Sequence, residues 1–297
     1  MSLIDDSPFD KSPVAPVQYG PEAEFSFRCH KDVGCWNACC KQIDIALTPY
    51  DIVRLKNRLG MTSDEFLKKH TVPYEMDRDG MPGVKMRTQD DAPVCLFMDE
   101  VTGCTVYEDR PTACRYYPIG LLSQRKQSET VDGTAYVIVE EDHCLGHKED
   151  NKMTIQQYRE EQGVEEYDEL ARGWRQLILK KMSGGPSIGK PSATSLSMFF
   201  MVCYNHDKFR EFINTPSFRQ SFNLEDDLFK KINEDDVELM LFGFRFLRQV
   251  LFGEESISLN EGAAEERLEQ RKDILQGRRD AEIEAHKQKE ADKYKDA

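Results

Sequence analysis

Thiol spacing constrains this chain more than any other feature. It has nine cysteines in 297 residues, and eight of them fall between Cys29 and Cys144. The first four sit in the run C-H-K-D-V-G-C-W-N-A-C-C, where Cys39 and Cys40 are neighbours. A free thiol is open to oxidation, whereas a thiolate bound to zinc or iron is shielded and useful. Disulfides are the other use of dense cysteines, and they belong to oxidising compartments. The start, M-S-L-I-D-D-S-P-F-D, has neither the basic end nor the apolar run of a signal peptide. The densest apolar stretch, Leu196 to Tyr204, is far too short to span a bilayer. A cytoplasmic location is therefore expected, and metal binding is favoured over a disulfide framework.

Apolar residues make up 39% of the chain and aromatics 10%, enough for a sizeable core. The formal charge of -14 disfavours general nucleic-acid binding, because phosphate backbones attract basic surfaces. The organisation expected is α+β. Residues 1–24, with Pro8, Pro13, Pro16 and Pro21, read as an irregular lead-in. Residues 25–150 read as a small, irregular cysteine-rich metal- or cluster-binding domain. Residues 151–255 read as mainly helical, and 256–297 as a charged tail, partly disordered or a single helix, with a possible protein-binding role.

Local signals place several elements. Thr48 and Pro49 start a helix whose apolar face is Ile52, Val53, Leu55 and Leu59, and Gly60 ends it. Thr62 to Lys69 reads as a second short helix. Pro73 to Pro93 is rich in turn residues, with short strands expected at Val84–Arg87 and Val94–Met98. The V-T-G-C-T-V-Y segment reads as extended, and Ala135 to Val139 is the clearest strand. Further helices are expected from Thr154 to Glu160, Val164 to Met182, 196 to 212 and Asp235 to Phe252. S-G-G-P-S-I-G-K-P-S reads as a linker. It is not a phosphate loop, since Pro186 interrupts it and Pro191 follows the lysine.

On a helix, Cys35 and Cys39 would share a face and Cys40 would point about 100° away. Adjacent cysteines rarely both serve one tetrahedral ion. Eight thiols supply two four-ligand sites, or one cluster and a set of structural thiols. Sulfur-only ligation suits Zn2+ and an iron–sulfur cluster about equally. Cys203, alone in F-F-M-V-C-Y, reads as a core thiol. Arg110 and Arg115 flank Cys114. Either they offset the charge of a thiolate cofactor site, or they clamp the local fold. Among the histidines near cysteines, His30, His143 and His147, His143 is the best placed to be a ligand.

The strings C-x5-C-x3-C-C, L-T-P-Y-D-I-V-R-L and C-L-F-M-D…G-C-T-V-Y-E-D-R-P-T-A-C-R-Y-Y-P, with a distal cysteine, carry a resemblance. Over roughly residues 25–150 they resemble the YkgJ-type cysteine-cluster family of zinc- or iron-chelating domains. The lysine N-methylase of flagellin resembles the same group. The resemblance implies metal ligation at Cys29, Cys35, Cys39, Cys40, Cys95, Cys104, Cys114 and Cys144. It names a chelating domain and no reaction. Three functions follow as alternatives: a metal-binding or cluster-binding protein, a metal-dependent enzyme such as a protein-modifying methyl or group transferase, and an interaction module with a structural zinc.

Overall fold

The computed structural model describes residues 13–14, 17–125, 132–183 and 191–263, with Glu265, Glu269 and Ile283 beyond. Strand β1 (Glu24–Ser26) precedes a loop carrying the first four cysteines, and helices α1 (Pro49–Leu59) and α2 (Ser63–His70) follow. Six short strands come next: β2 (Thr71–Glu75), β3 (Pro82–Met86), β4 (Thr88–Gln89), β5 (Ala92–Cys95), β6 (Met98–Asp99) and β7 (Gly103–Cys104). Then come α3 (Thr112–Tyr116), β8 (Ile119–Arg125), β9 (Asp132–Ile138) and β10 (Lys152–Thr154). The rest is helical: α4 (Ile155–Gln162), α5 (Val164–Ser183), α6 (Ala193–Tyr204), α7 (His206–Ile213), α8 (Pro216–Ser221), α9 (Asp226–Glu234) and α10 (Asp236–Phe252). Among the described residues the strands pair as two-stranded antiparallel ribbons, β1 with β10, β2 with β3, β4 with β5, β6 with β7 and β8 with β9. The class is α+β, as expected.

The helix ends follow from local chemistry. Thr48 and Asp51 form a reciprocal capping box at α1, as do Thr62 and Glu65 at α2 and Thr154 and Gln157 at α4. Gly60 ends α1 in the left-handed region with φ 61°, a conformation that suits glycine.

Several expectations need correction. The turn-rich stretch from Pro73 is partly a ribbon, with β2 running through Pro73 itself. In a two-stranded ribbon every strand is an edge, so the missing N–H can face outward. The segment Ile119–Arg125, for which the sequence reading assigns no element, is a strand that pairs with β9 along its length. The stretch from 196 to 212 is two helices, because Asn205 leaves helical geometry (φ -113°, ψ 70°) and caps α7 through Lys208 N–H at 3.3 Å. The α8 and α9 helices had no clear signal in the sequence. The lead-in is tied to β9 by a bridge from Tyr19 to Tyr136 and to the residue after it by one from Val14 to Val139. The linker lies outside the described residues over 184–190, as does most of the charged tail.

Two apolar cores hold the molecule. The main one joins Tyr50, Ile52 and Leu55 of α1 and Phe66 of α2 to Phe199, Phe209, Phe242 and Phe246 of the later helices, so it crosses residue 150. Cys203 is fully buried within it. The second core gathers Phe25, Phe27, Tyr116, Ile119, Tyr136, Ile155 and Tyr158. Pairing of β1 with β10 brings the two ends of the cysteine-bearing segment together beside it.

One buried carboxylate links α1 to α3. Asp51 is fully buried, and its Oδ2 accepts from Thr48 N–H at 2.8 Å. Its Oδ1 accepts from Thr112 N–H and from the Thr112 hydroxyl, both at 2.8 Å. Burial lifts this carboxyl above its ordinary range, against the pull of the donors. Asp51→Ala strands those donors and is expected to cost on the order of 3 kcal/mol. Urea unfolding measures the loss, and an unchanged midpoint would remove Asp51 as a support.

A second buried polar group sits between α1, α7 and α10. Lys56 Nζ lies 2.7 Å from Asp236 and 3.9 Å from Asp207, and Arg210 also pairs with Asp236. His206 is fully buried beside them, and neither ring nitrogen has a hydrogen-bond partner. Burial first, and then the Lys56 charge, push its pKa down to about 4. Between the ordinary histidine value of about 6.5 and about 4 the unfolded chain binds the proton and the folded one does not. His206 therefore subtracts stability as pH falls through that window, by roughly 3 kcal/mol in all. The urea midpoint of His206→Leu should fall less steeply than wild type between pH 6.5 and 4, and parallel curves would contradict this.

Candidate functional site

Eight cysteines from three separate stretches of chain line one cavity of about 1050 Å³. They are Cys29, Cys35, Cys39, Cys40, Cys95, Cys104, Cys114 and Cys144, and all are free thiols. Cys203 lies apart in the main core.

The first stretch is a loop of turns. It is not the helix on which Cys35 and Cys39 would share a face; only Ala38–Cys40 forms a short 3-10 turn. Asn37 enters that turn with φ 65°, a left-handed conformation that asparagine tolerates, and its side-chain amide donates to Asp99 C=O at 3.3 Å. Trp36 packs on Gly103, where a Cβ would stand 2.7 Å from the indole, so that contact requires glycine. Within the turn the Cys39 and Cys40 sulfurs are 4.0 Å apart. Further contacts tie the loop to the later cysteines. Leu145 N–H donates to Cys35 Sγ at 3.1 Å, Arg28 N–H to Gly146 C=O at 3.0 Å, and Ile43 N–H to Pro93 C=O at 3.0 Å.

The second stretch carries Cys95, Cys104 and Cys114. Cys104 pairs with Met98 across the β6–β7 ribbon, and Phe97 N–H donates to Cys95 Sγ at 3.4 Å. Cys114 sits on α3, inside E-D-R-P-T-A-C-R-Y-Y-P, and nearly every polar residue of that string anchors it. Asp109 accepts from Arg54 Nε at 2.9 Å and Nη2 at 2.6 Å. Thr112 donates to Asp51, and Tyr116 to Asp168 on α5. Arg115 Nε donates to Arg110 C=O at 3.2 Å and Nη1 to Gln162 C=O at 2.8 Å. Its Nη2 donates to Glu108 C=O and, at 3.0 Å, to the Tyr167 hydroxyl. A guanidinium engaged this way fixes the backbone around Cys114.

The two arginines therefore stand differently. Arg115 is buried away from the cavity lining. Arg110 lines the cavity, stacked 4.0 Å over the Tyr107 ring, while it donates to Tyr107 C=O at 2.9 Å and Gln162 Oε1 at 2.6 Å. His30 and His143 also line the cavity. His30 pairs with Glu149 at 3.1 Å and His143 lies 3.7 Å from Glu141. His147 bonds Val139 C=O at 3.0 Å and is not part of the lining.

Burial, and then crowding, raise the cost of ionising several of these thiols. Burial, and then the thiols of Cys39, Cys35 and Cys144, push Cys29 up to about 11. Cys95, Cys104 and Cys114 are all pushed up, by burial first. Cys104 adds to the shift at Cys95, and both add to that at Cys114, while the Arg110 charge opposes it at Cys104. The adjacent pair divides, because the hydrogen bond between them lowers Cys39 to about 7 and raises Cys40. One thiolate in the pair is favoured and a second is not.

Sequence reasoning missed part of the wall. Trp36, Asn37 and Glu141 line the cavity, as do Tyr158, Glu161 and Gln162 of α4, which lie beyond residue 150. No motif marks the α4 residues, since only the packing of α4 beside α3 brings them there. Among the described residues no three His, Cys, Asp or Glu side chains stand close enough to hold an ion as placed. The donor set fits a thiophilic metal by its chemistry, and the thiols must draw together to close around one.

Comparison with known proteins is narrow: no curated protein and no solved structure matches the chain. Residues 28–145, the segment that holds all eight cavity thiols, match the family CxxCxxCC, described as "Putative zinc- or iron-chelating domain".

Proposed function

We propose that the cavity is a thiolate metal centre that holds zinc or an iron–sulfur cluster. The observation that carries this reading is the convergence of eight free thiols, from three stretches of chain, on one cavity. Without a cation, burial and neighbouring thiols hold Cys29, Cys95, Cys104 and Cys114 in the neutral form. A metal reverses that balance, since it binds the thiolates and displaces their protons. The ligands would come from Cys29, Cys35, Cys39, Cys40, Cys95, Cys104, Cys114 and Cys144. Arg110 would offset part of their charge from the cavity wall, while Arg115 would hold Cys114 in place through the backbone. Bound metal would supply a structural clamp if zinc, or a redox-active or substrate-binding centre if iron–sulfur. A reducing, cytoplasmic setting suits the free thiols.

Catalysis is the second reading, and one observation favours it. The cavity runs past the thiols to Tyr107, Arg110 and Tyr158, polar side chains that a purely structural zinc site would not need.

Anaerobic purification followed by metal analysis and an absorption spectrum tests the first reading. A brown protein with about four irons per cluster, or a colourless one with stoichiometric zinc, is the expected result. A metal-free protein that takes up neither metal would overturn it. Separate Cys39→Ser and Cys40→Ser variants should each lower the bound metal. Unaltered content in both would remove the adjacent pair from the ligand set.

A further inference from the structure

The eight thiols are held by two different parts of the fold. Cys29, Cys35 and Cys144 belong to one part. The Arg28 to Gly146 and Leu145 to Cys35 hydrogen bonds fasten the first loop to the Cys144 turn, and Cys144 packs against the second core. Cys95, Cys104 and Cys114 belong to the other. Cys95 and Cys104 pack against the main core, and Thr105 N–H donates to Phe97 C=O at 2.9 Å between them. Cys114 rides on α3, whose start Asp51 ties to α1 of that same core, while Tyr116 at its far end packs in the second core.

The Ala38–Cys40 turn lies between the two sets. Its cysteines are consecutive, with sulfurs 4.0 Å apart. Just after Cys40, the Ile43 to Pro93 hydrogen bond lays the chain beside β5, which ends in Cys95. A tetrahedral sulfur site takes four thiolates, and each set of three lacks one. We infer that the cavity takes two thiolate-bound metal centres, Cys29, Cys35, Cys39 and Cys144 around one and Cys40, Cys95, Cys104 and Cys114 around the other. The adjacent pair is the seam, with one cysteine given to each centre. This rests on the metal-binding reading above.

The test compares metal content per chain, by elemental analysis, in the full-length protein purified anaerobically. The variants are Cys35→Ser/Cys144→Ser, Cys104→Ser/Cys114→Ser and the quadruple change. Each double variant is expected to lose half of the wild-type metal, and the quadruple variant all of it. A double variant that loses all metal with its far-ultraviolet circular dichroism unchanged would mean one shared centre and would overturn the inference. So would a double variant with undiminished metal. Should a double variant unfold, Co2+ titration of reduced, metal-free wild type decides the point: saturation at two ions supports the inference and at one overturns it. Wild-type protein that binds no metal at all would instead defeat the underlying reading.

Discussion

The buried carboxylate of Asp51 is the constraint on which the cavity depends. It closes the capping box of α1 and also holds the first turn of α3 through Thr112. Helix α1 belongs to the main core, and α3 carries Cys114. A charge in that position is tolerable only because its oxygens are matched by donors, so the two helix starts hold each other in place. Arg115 completes the arrangement from the other side. It spends its donors on the carbonyls of Glu108, Arg110 and Gln162 and on the Tyr167 hydroxyl. The result is a thiol presented from a rigid segment of only five helical residues, too short to hold itself together.

Around that anchor the thiol wall is made of loops and minimal ribbons. Short two-stranded ribbons bury little apolar surface and are marginal alone. Here they are held by the two cores, by backbone hydrogen bonds to sulfur and by close packing such as Trp36 on Gly103. Burial and neighbouring thiols make several of these groups costly to ionise, and a bound cation would offset that cost. Metal coordination and folding are linked in such a segment, because bonds to sulfur would supply the cross-links that its backbone lacks.

Much of this was legible in the chain. The E-D-R-P-T-A-C-R-Y-Y-P string marked a segment in which Asp109, Arg110, Thr112, Arg115 and Tyr116 find fixed partners, and Thr48, Pro49 and Gly60 marked α1 at both ends. Cys203 was separable from the other thiols by its apolar neighbours alone. The strand through Pro73 and the break at Asn205 were not legible, because each depends on a partner distant in sequence or on a backbone angle that composition does not encode. The roles open to Arg110 and Arg115 looked equivalent from their shared proximity to Cys114. Only packing against α4 and α5 separated them, placing one on the cavity and burying the other in carbonyls.

The sequence by itself determined the chemistry: a dense set of thiols suited to a soft metal, a net acidic chain, and helix ends written in capping residues. These are local properties, fixed by residue type and spacing. The tertiary structure decided which thiols meet. Cys29 and Cys144 are neighbours because β1 pairs with β10 and Arg28 bonds Gly146, and Cys95 and Cys104 because a two-strand ribbon turns between them. Those contacts join positions as far apart as Glu24 and Thr154, and their free energy comes from burying the two cores. No spacing rule along the chain carries that information.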